Sequence, residues 1–99
     1  MNESEIRRAI QNKLVIEFTY SNRLRVVEPH VLGVCNGNVQ LLAYQIGGQS
    51  SSGGLPEWRR FDLFRISNLR VTSQTFAGRR AFPSGTHSPW DRELEIVPA

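Results

Sequence analysis

A chain of 99 residues with 39% hydrophobic and 21% charged content is one small globular domain with a modest core, not a disordered segment. No apolar run approaches the roughly 20 residues of a membrane helix, and the acidic start Met-Asn-Glu-Ser-Glu lacks the apolar region of a signal peptide. The net charge is +3, carried by 11 Arg and a single Lys, Lys13, against nine acids. The charge is uneven: residues 23 to 80 hold eight Arg against Glu28, Glu57 and Asp62, whereas residues 81 to 99 are net acidic. Arginine offers a planar fork for phosphate or carboxylate, so a basic body predicts an anionic partner. Arg-rich coding in a GC-rich genome is the bland alternative. A lone Cys35 forms no internal disulfide and fits a reducing cytoplasm.

In chain order, the spacing predicts a helix over residues 3 to 13. Asn2 and Glu5 form a capping-box pattern, and Ile6, Ala9, Ile10 and Leu14 make one apolar face. From residue 14 the period becomes two: Ile16, Phe18 and Tyr20 alternate with Val15, Glu17 and Thr19, which predicts a strand. Ser21-Asn22 is a turn signal. Arg25 to Cys35 is a second strand, in which Pro29 demands an edge, a bulge or a bend. Asn36-Gly37 is a hairpin signal, Val39 to Ile46 the third strand, and Gly47 to Gly54 a loop. Trp58 to Phe64 is the fourth strand and Leu69 to Ser73 the fifth, with a break at Asn68. Residues 1 to 76 form the domain and 77 to 99 an irregular tail. Leu94, Ile96 and Val97 supply one further strand or a contact with another copy. A helix followed by five closely connected strands predicts a mainly β fold in which a bent sheet curls into a small barrel.

The fourth strand is the candidate for function. Alternation places Arg59, Phe61, Leu63 and Arg65 on one face, with an apolar centre and a guanidinium at each end. Burying an unpaired charge is costly, so these arginines need internal acids, Glu17 or Glu28, or an anion from outside. Arg60 points the other way, to solvent, and Phe61 belongs to the core. Tyr20 and Tyr44 offer rings on which a base can stack. Two His and one Cys make no metal site, and no cofactor is expected. His30 reads as a satisfied strand residue, and His87 lies alone in the tail. Gly48 and Gly53 share the spacing of phosphate-loop glycines, but the following Lys-Ser or Lys-Thr is missing. No nucleophile, base and orienting group stand together, so no enzyme is expected.

The order of these motifs resembles the WYL domain, a module of bacterial transcription regulators and phage-defence proteins. Ile6 to Ile10 leading into Val15-Ile16-Glu17-Phe18-Thr19-Tyr20 is similar to the family's helix entering its first strand. Arg25-Val26-Val27-Glu28-Pro29 resembles its arginine-to-Glu-Pro segment, and Trp58-Arg59-Arg60-Phe61-Asp62-Leu63-Phe64-Arg65-Ile66 its arginine signature. Phe76 stands where the family often has Phe. The naming triplet appears as Val39-Gln40-Leu41, so only its leucine is kept. The likeness implies an SH3-like, Sm-like barrel that binds a nucleotide or single-stranded nucleic acid through a basic channel, with Tyr20, Arg25, Tyr44, Arg59 and Arg65 as ligand residues. The family's regulators carry a helix-turn-helix ahead of this domain, and the thirteen residues before the first strand hold none. The resemblance then implies either that the chain acts on partners, a separate DNA-binding regulator and further copies of itself, or that it is a fragment of a longer protein. The alternative is an interaction module without a ligand of its own, assembling through sheet edges and the tail.

Overall fold

The computed structural model describes residues 2–48, 57–78 and 90–98. Its elements run α1 (Asn2–Asn12), β1 (Leu14–Tyr20), β2 (Arg23–Cys35), β3 (Asn38–Gly48), β4 (Glu57–Asp62), a 3-10 turn (Leu63–Arg65), β5 (Ser67–Thr75) and β6 (Arg92–Ile96). The expected phosphate-loop comparison, most of the loop after β3, and His87 fall outside the described residues.

The helix forms as its apolar spacing requires, with Ile6, Ala9 and Ile10 fully buried. Asn2 opens the helix rather than capping it, and its side-chain amide donates to the Ile66 carbonyl (3.2 Å). The helix stops where Lys13 takes a left-handed φ of 55°. The Lys13 carbonyl then accepts from the Phe76 amide (3.0 Å), fixing the helix end to the residue that follows β5.

The β1–β2 and β2–β3 hairpins each turn on two residues with positive φ, Ser21 and Asn22 after β1, Asn36 and Gly37 after β2. This backbone matches the right-handed twist of the flanking strands. It sets Tyr20 opposite Arg23 and Cys35 opposite Asn38. The strand β2 is the spine of the fold. It pairs with β3 along one side, and on the other with β1 up to Val27 and with β6 from Val31 to Val34. Its ladder with β3 shifts register between Pro29 and Val31, a bulge, which is one of the three irregularities expected at that proline.

The fold is mainly β with one N-terminal helix, as expected, but the sheet has six strands and is not closed into a barrel. Its order is β4-β3-β2-β1-β5, with β6 beside β2. The sheet bends until the domain is nearly isometric, 30 × 28 × 27 Å. Phe18, Ile16, Leu32, Leu41, Phe61 and Val97 join the helix residues in one core.

Two boundaries differ from the sequence reading. The fourth strand ends at Asp62, not Phe64, because the chain tightens into the 3-10 turn before resuming at Ser67. Asn68 lies inside β5 with φ 55°, where the pairing with β1 shifts between Glu17 and Thr19, so it makes a bulge rather than the break. The tail strand pairs with β2 of its own chain. Val97 is fully buried and its amide donates to the His30 carbonyl (2.8 Å). Arg60 does not project freely into solvent. Its guanidinium lies 3.8 Å from the Trp90 ring centroid and donates to Gln40 Oε1 (3.3 Å).

Trp90 also lies against Gly33, where an added Cβ would stand 2.6 Å from Trp90 Cε3 and 2.8 Å from the Arg92 carbonyl. Gly33→Ala should therefore push β6 off β2 and cost about 1 to 3 kcal/mol, the usual range for overpacking. A thermal melt should show a drop of at least about 4 °C, and an unchanged midpoint would refute this account of the glycine.

Candidate anion-binding site

Tyr20 is the last residue of β1, immediately before the positive-φ turn. Its ring stands edge-on to Phe61 (4.9 Å) and to Phe18 (6.4 Å), so the core holds it in place. Its hydroxyl accepts from the Asp62 amide (3.1 Å), the point at which β4 gives way to the 3-10 turn. The phenol thus spans from the first hairpin to the turn.

Two arginines converge on this ring. Arg65 comes from the 3-10 turn; its guanidinium is 4.8 Å from the Tyr20 centroid and donates to Ser21 Oγ (3.0 Å). Arg25 comes from β2; its guanidinium lies 5.8 Å from both the Tyr20 and Phe61 centroids. Its Nε and Nη2 donate to the Tyr20 carbonyl (3.4 and 3.3 Å), and its Nη1 to Gln45 Oε1 (3.4 Å). These are long bonds to neutral acceptors. Arg65 is exposed, but Arg25 is only 4% exposed. Burial lowers the Arg25 pKa from its ordinary value, and the neighbouring charges of Arg59 and Arg23 lower it further. Folding therefore disfavours a charge that arginine nonetheless keeps at neutral pH.

The internal acids do not relieve it. Glu17 pairs with Arg70 (2.7 Å) on the outer side of the β1–β5 ladder. Glu28 is buried opposite Tyr44, in the alternate phase of β2 from Arg25 and Val27. Among the described residues, Arg25 contacts no carboxylate.

Of the five residues singled out in the sequence, the structure gathers four. Tyr20, Arg25 and Arg65 are in contact, and Arg59, half-buried opposite Ala43, bears electrostatically on Arg25. Arg59 and Phe61 share a strand face as expected, but Arg65 reaches the cluster from the turn. Tyr44 stands apart, on the other face of β3, where it packs against Trp58 (5.1 Å). His30 is a core residue, with Nδ1–H donating to the Glu28 carbonyl (2.8 Å) and the ring stacked on Phe76 (5.4 Å).

Gln45 and Arg23 belong to this region and were missed. Gln45 is fully buried and orients its amide by donating from Nε2 to the Gly47 carbonyl (3.0 Å). The signal was present: Gln45 is in phase with the core residues Leu41 and Ala43, where a polar side chain demands a polar partner. Among the described residues, no group of His, Cys, Asp and Glu is placed to hold a metal ion. No described helix is long and apolar enough to cross a membrane.

A family model for the WYL domain matches residues 2–71, which include the whole of this cluster. The chain belongs to the WYL-domain family. No curated protein and no solved structure matches it. The family is one of ligand-sensing regulatory modules. In this WYL domain the two missing aromatics of the naming triplet have other occupations. Val39 packs on the core edge, and Gln40 bridges Asp62 (2.8 Å) and Arg60, while Leu41 keeps its place in the core.

Tyr20→Phe should keep the ring beneath Arg65 but remove the acceptor for the Asp62 amide. A half-buried donor left without its bond costs about 1 to 2 kcal/mol. The thermal midpoint should fall by about 4 to 16 °C, and faster exchange of the Asp62 amide should accompany the fall. Stability and exchange equal to the wild type would show that the phenol does not hold the turn.

Proposed function

We propose that this WYL domain binds the phosphates of a nucleotide or of single-stranded nucleic acid at the Tyr20–Arg25–Arg59–Arg65 cluster, without catalysis. Occupancy is then passed to a DNA-binding regulator or to a second copy of the chain. The observation that carries this reading is Arg25. It is a buried cation whose described partners are all neutral and whose charged neighbours are also cations. An incoming phosphate supplies the missing negative charge and accepts from several guanidinium groups at once. Membership of a ligand-sensing family supports the same reading. The rival view, assembly through an apolar tail, has less surface to draw on, because Leu94 and Val97 pack on the core of their own chain while Ile96 stays exposed.

Phosphate contacts release counterions, so affinity should fall steeply with salt. Three arginine–phosphate contacts to a single strand predict about a 20-fold loss between about 50 and about 200 mM salt. Fluorescence anisotropy with short single-stranded DNA and RNA measures this directly. Arg65→Ala removes an exposed side chain, so it should weaken binding and flatten the salt slope while leaving the fold intact. Absence of binding at the lower salt, or an unchanged slope in the variant, would refute the proposal.

A further inference from the structure

Position 45 stands between two arginines, where an acid is the natural choice, and it holds an amide. Gln45 lies in the middle of the sheet, opposite Val27 of β2 and Glu57 of β4. Arg25 is two residues from Val27, and Arg59 two residues from Glu57, so both are diagonal neighbours of Gln45 on one sheet face. The β2–β3 ladder shifts register there, with Gly47 opposite Val26 and Gln45 opposite Val27. Ile46 is thus the extra residue of a bulge, a device that re-aims the side chains beside it.

Hydrogen bonds at both ends of the amide explain the choice. Its Nε2–H donates to the Gly47 carbonyl (3.0 Å), and its Oε1 accepts from Arg25 Nη1 (3.4 Å). An ionised carboxylate has no hydrogen to donate and would set an oxygen against the Gly47 carbonyl. The amide serves both partners and adds no charge. Held at both ends and fully buried, it keeps one orientation.

What this does for Arg25 follows from its donors. A guanidinium carries five N–H groups. Nε and Nη2 each give one to the Tyr20 carbonyl, and Nη1 gives one to Gln45. One N–H therefore remains on each terminal nitrogen, and these two nitrogens are a pair that grips phosphate through two parallel bonds. A single carbonyl on one edge leaves the guanidinium plane free to tilt about that edge. The second acceptor, on Nη1, removes that freedom.

We propose that Gln45 is the positioning residue of the anion site: it fixes the Arg25 guanidinium with two N–H groups unspent, and does so without cancelling its charge. This rests on the anion reading above and names the residue that keeps the site ready. Gln45 does not touch the ligand; it acts through Arg25. A glutamate at the same position would supply the counter-charge from inside the fold and compete with any anion from outside.

The test uses the full chain, with pyrophosphate as the probe and a thermal melt to check that each variant folds. In the nitrogen NMR spectrum of the free wild type, Arg25 Nη1 and Nη2 should give two separate resonances, because turning about the Nε–Cζ bond is blocked. One averaged resonance overturns the proposal. Gln45→Met keeps the length and loses both hydrogen bonds, so the two resonances should merge and affinity should fall roughly 2- to 10-fold, as for one lost hydrogen bond. In an Arg25→Met background the same change should alter affinity by less than about twofold, since its effect passes through Arg25. An equal loss in both backgrounds assigns Gln45 a general packing role and overturns the proposal, as does wild-type affinity in Gln45→Met. Gln45→Glu should bind at least about tenfold more weakly than wild type, as for the loss of one charge-assisted bond to the ligand. Wild-type affinity in that variant likewise overturns the proposal. If a variant does not fold, the wild-type resonances decide. Any of these failures in a wild type that binds pyrophosphate leaves the anion reading standing. A wild type that binds no pyrophosphate overturns that reading and this proposal with it.

Discussion

A charged guanidinium has been taken almost wholly out of water at Arg25, and the structure around it is arranged to tolerate that rather than to cancel it. Its relief comes from a carbonyl, an amide oxygen and two ring faces, none of which carries a full negative charge. Such groups offset part of the desolvation cost, and nearby Arg59 and Arg23 add to it. A domain this small has little stability to spend on an uncompensated charge. The charge is intelligible if its compensation arrives with a ligand. Binding then draws on an imbalance already present in the folded state, instead of having to separate a formed ion pair first.

The scaffold explains how three distant parts of the sequence meet there. The long strand β2 brings Arg25 under the first hairpin, and the positive-φ pair Ser21-Asn22 keeps Tyr20 beside it. Strand β4 contributes Phe61 and Arg59, then gives way to a 3-10 turn that aims Arg65 at the same ring. The Tyr20 hydroxyl on the Asp62 amide is the tie between these two halves. Because Arg65 sits on one short turn, a ligand engaging it bears on the backbone of that turn. The turn is tied in addition to the helix N-terminus through Asn2 and Ile66. Occupancy thus has a physical route to the rest of the domain.

Much of this was legible in the residues. The first two hairpins followed from turn chemistry, an irregularity in β2 from Pro29, and the helix from three buried positions at helical spacing. The arginines stood out because they interrupt apolar alternation. What alternation alone does not encode is where a strand stops. Leu63-Phe64-Arg65 continues a strand pattern by composition, and only the packing of Tyr20 against Asp62 and Phe61 shows why the chain tightens there. Tyr44 was misplaced for a related reason: its phase is readable, but which face of β3 meets the arginines depends on how the sheet bends. The tail strand pairs over a separation that no local pattern carries, so its partner, β2 of the same chain, emerged only in three dimensions.

The central claim is that Arg25 is a charge kept for an anion. Isothermal titration of pyrophosphate into wild type and into Arg25→Met, with both proteins first shown to be folded by their thermal melts, tests it most directly. Methionine keeps the length and loses the charge, so the account predicts one anion bound per wild-type chain and an affinity at least about tenfold weaker in the variant, as for one lost charge-assisted bond. Equal affinity in the two proteins would contradict it.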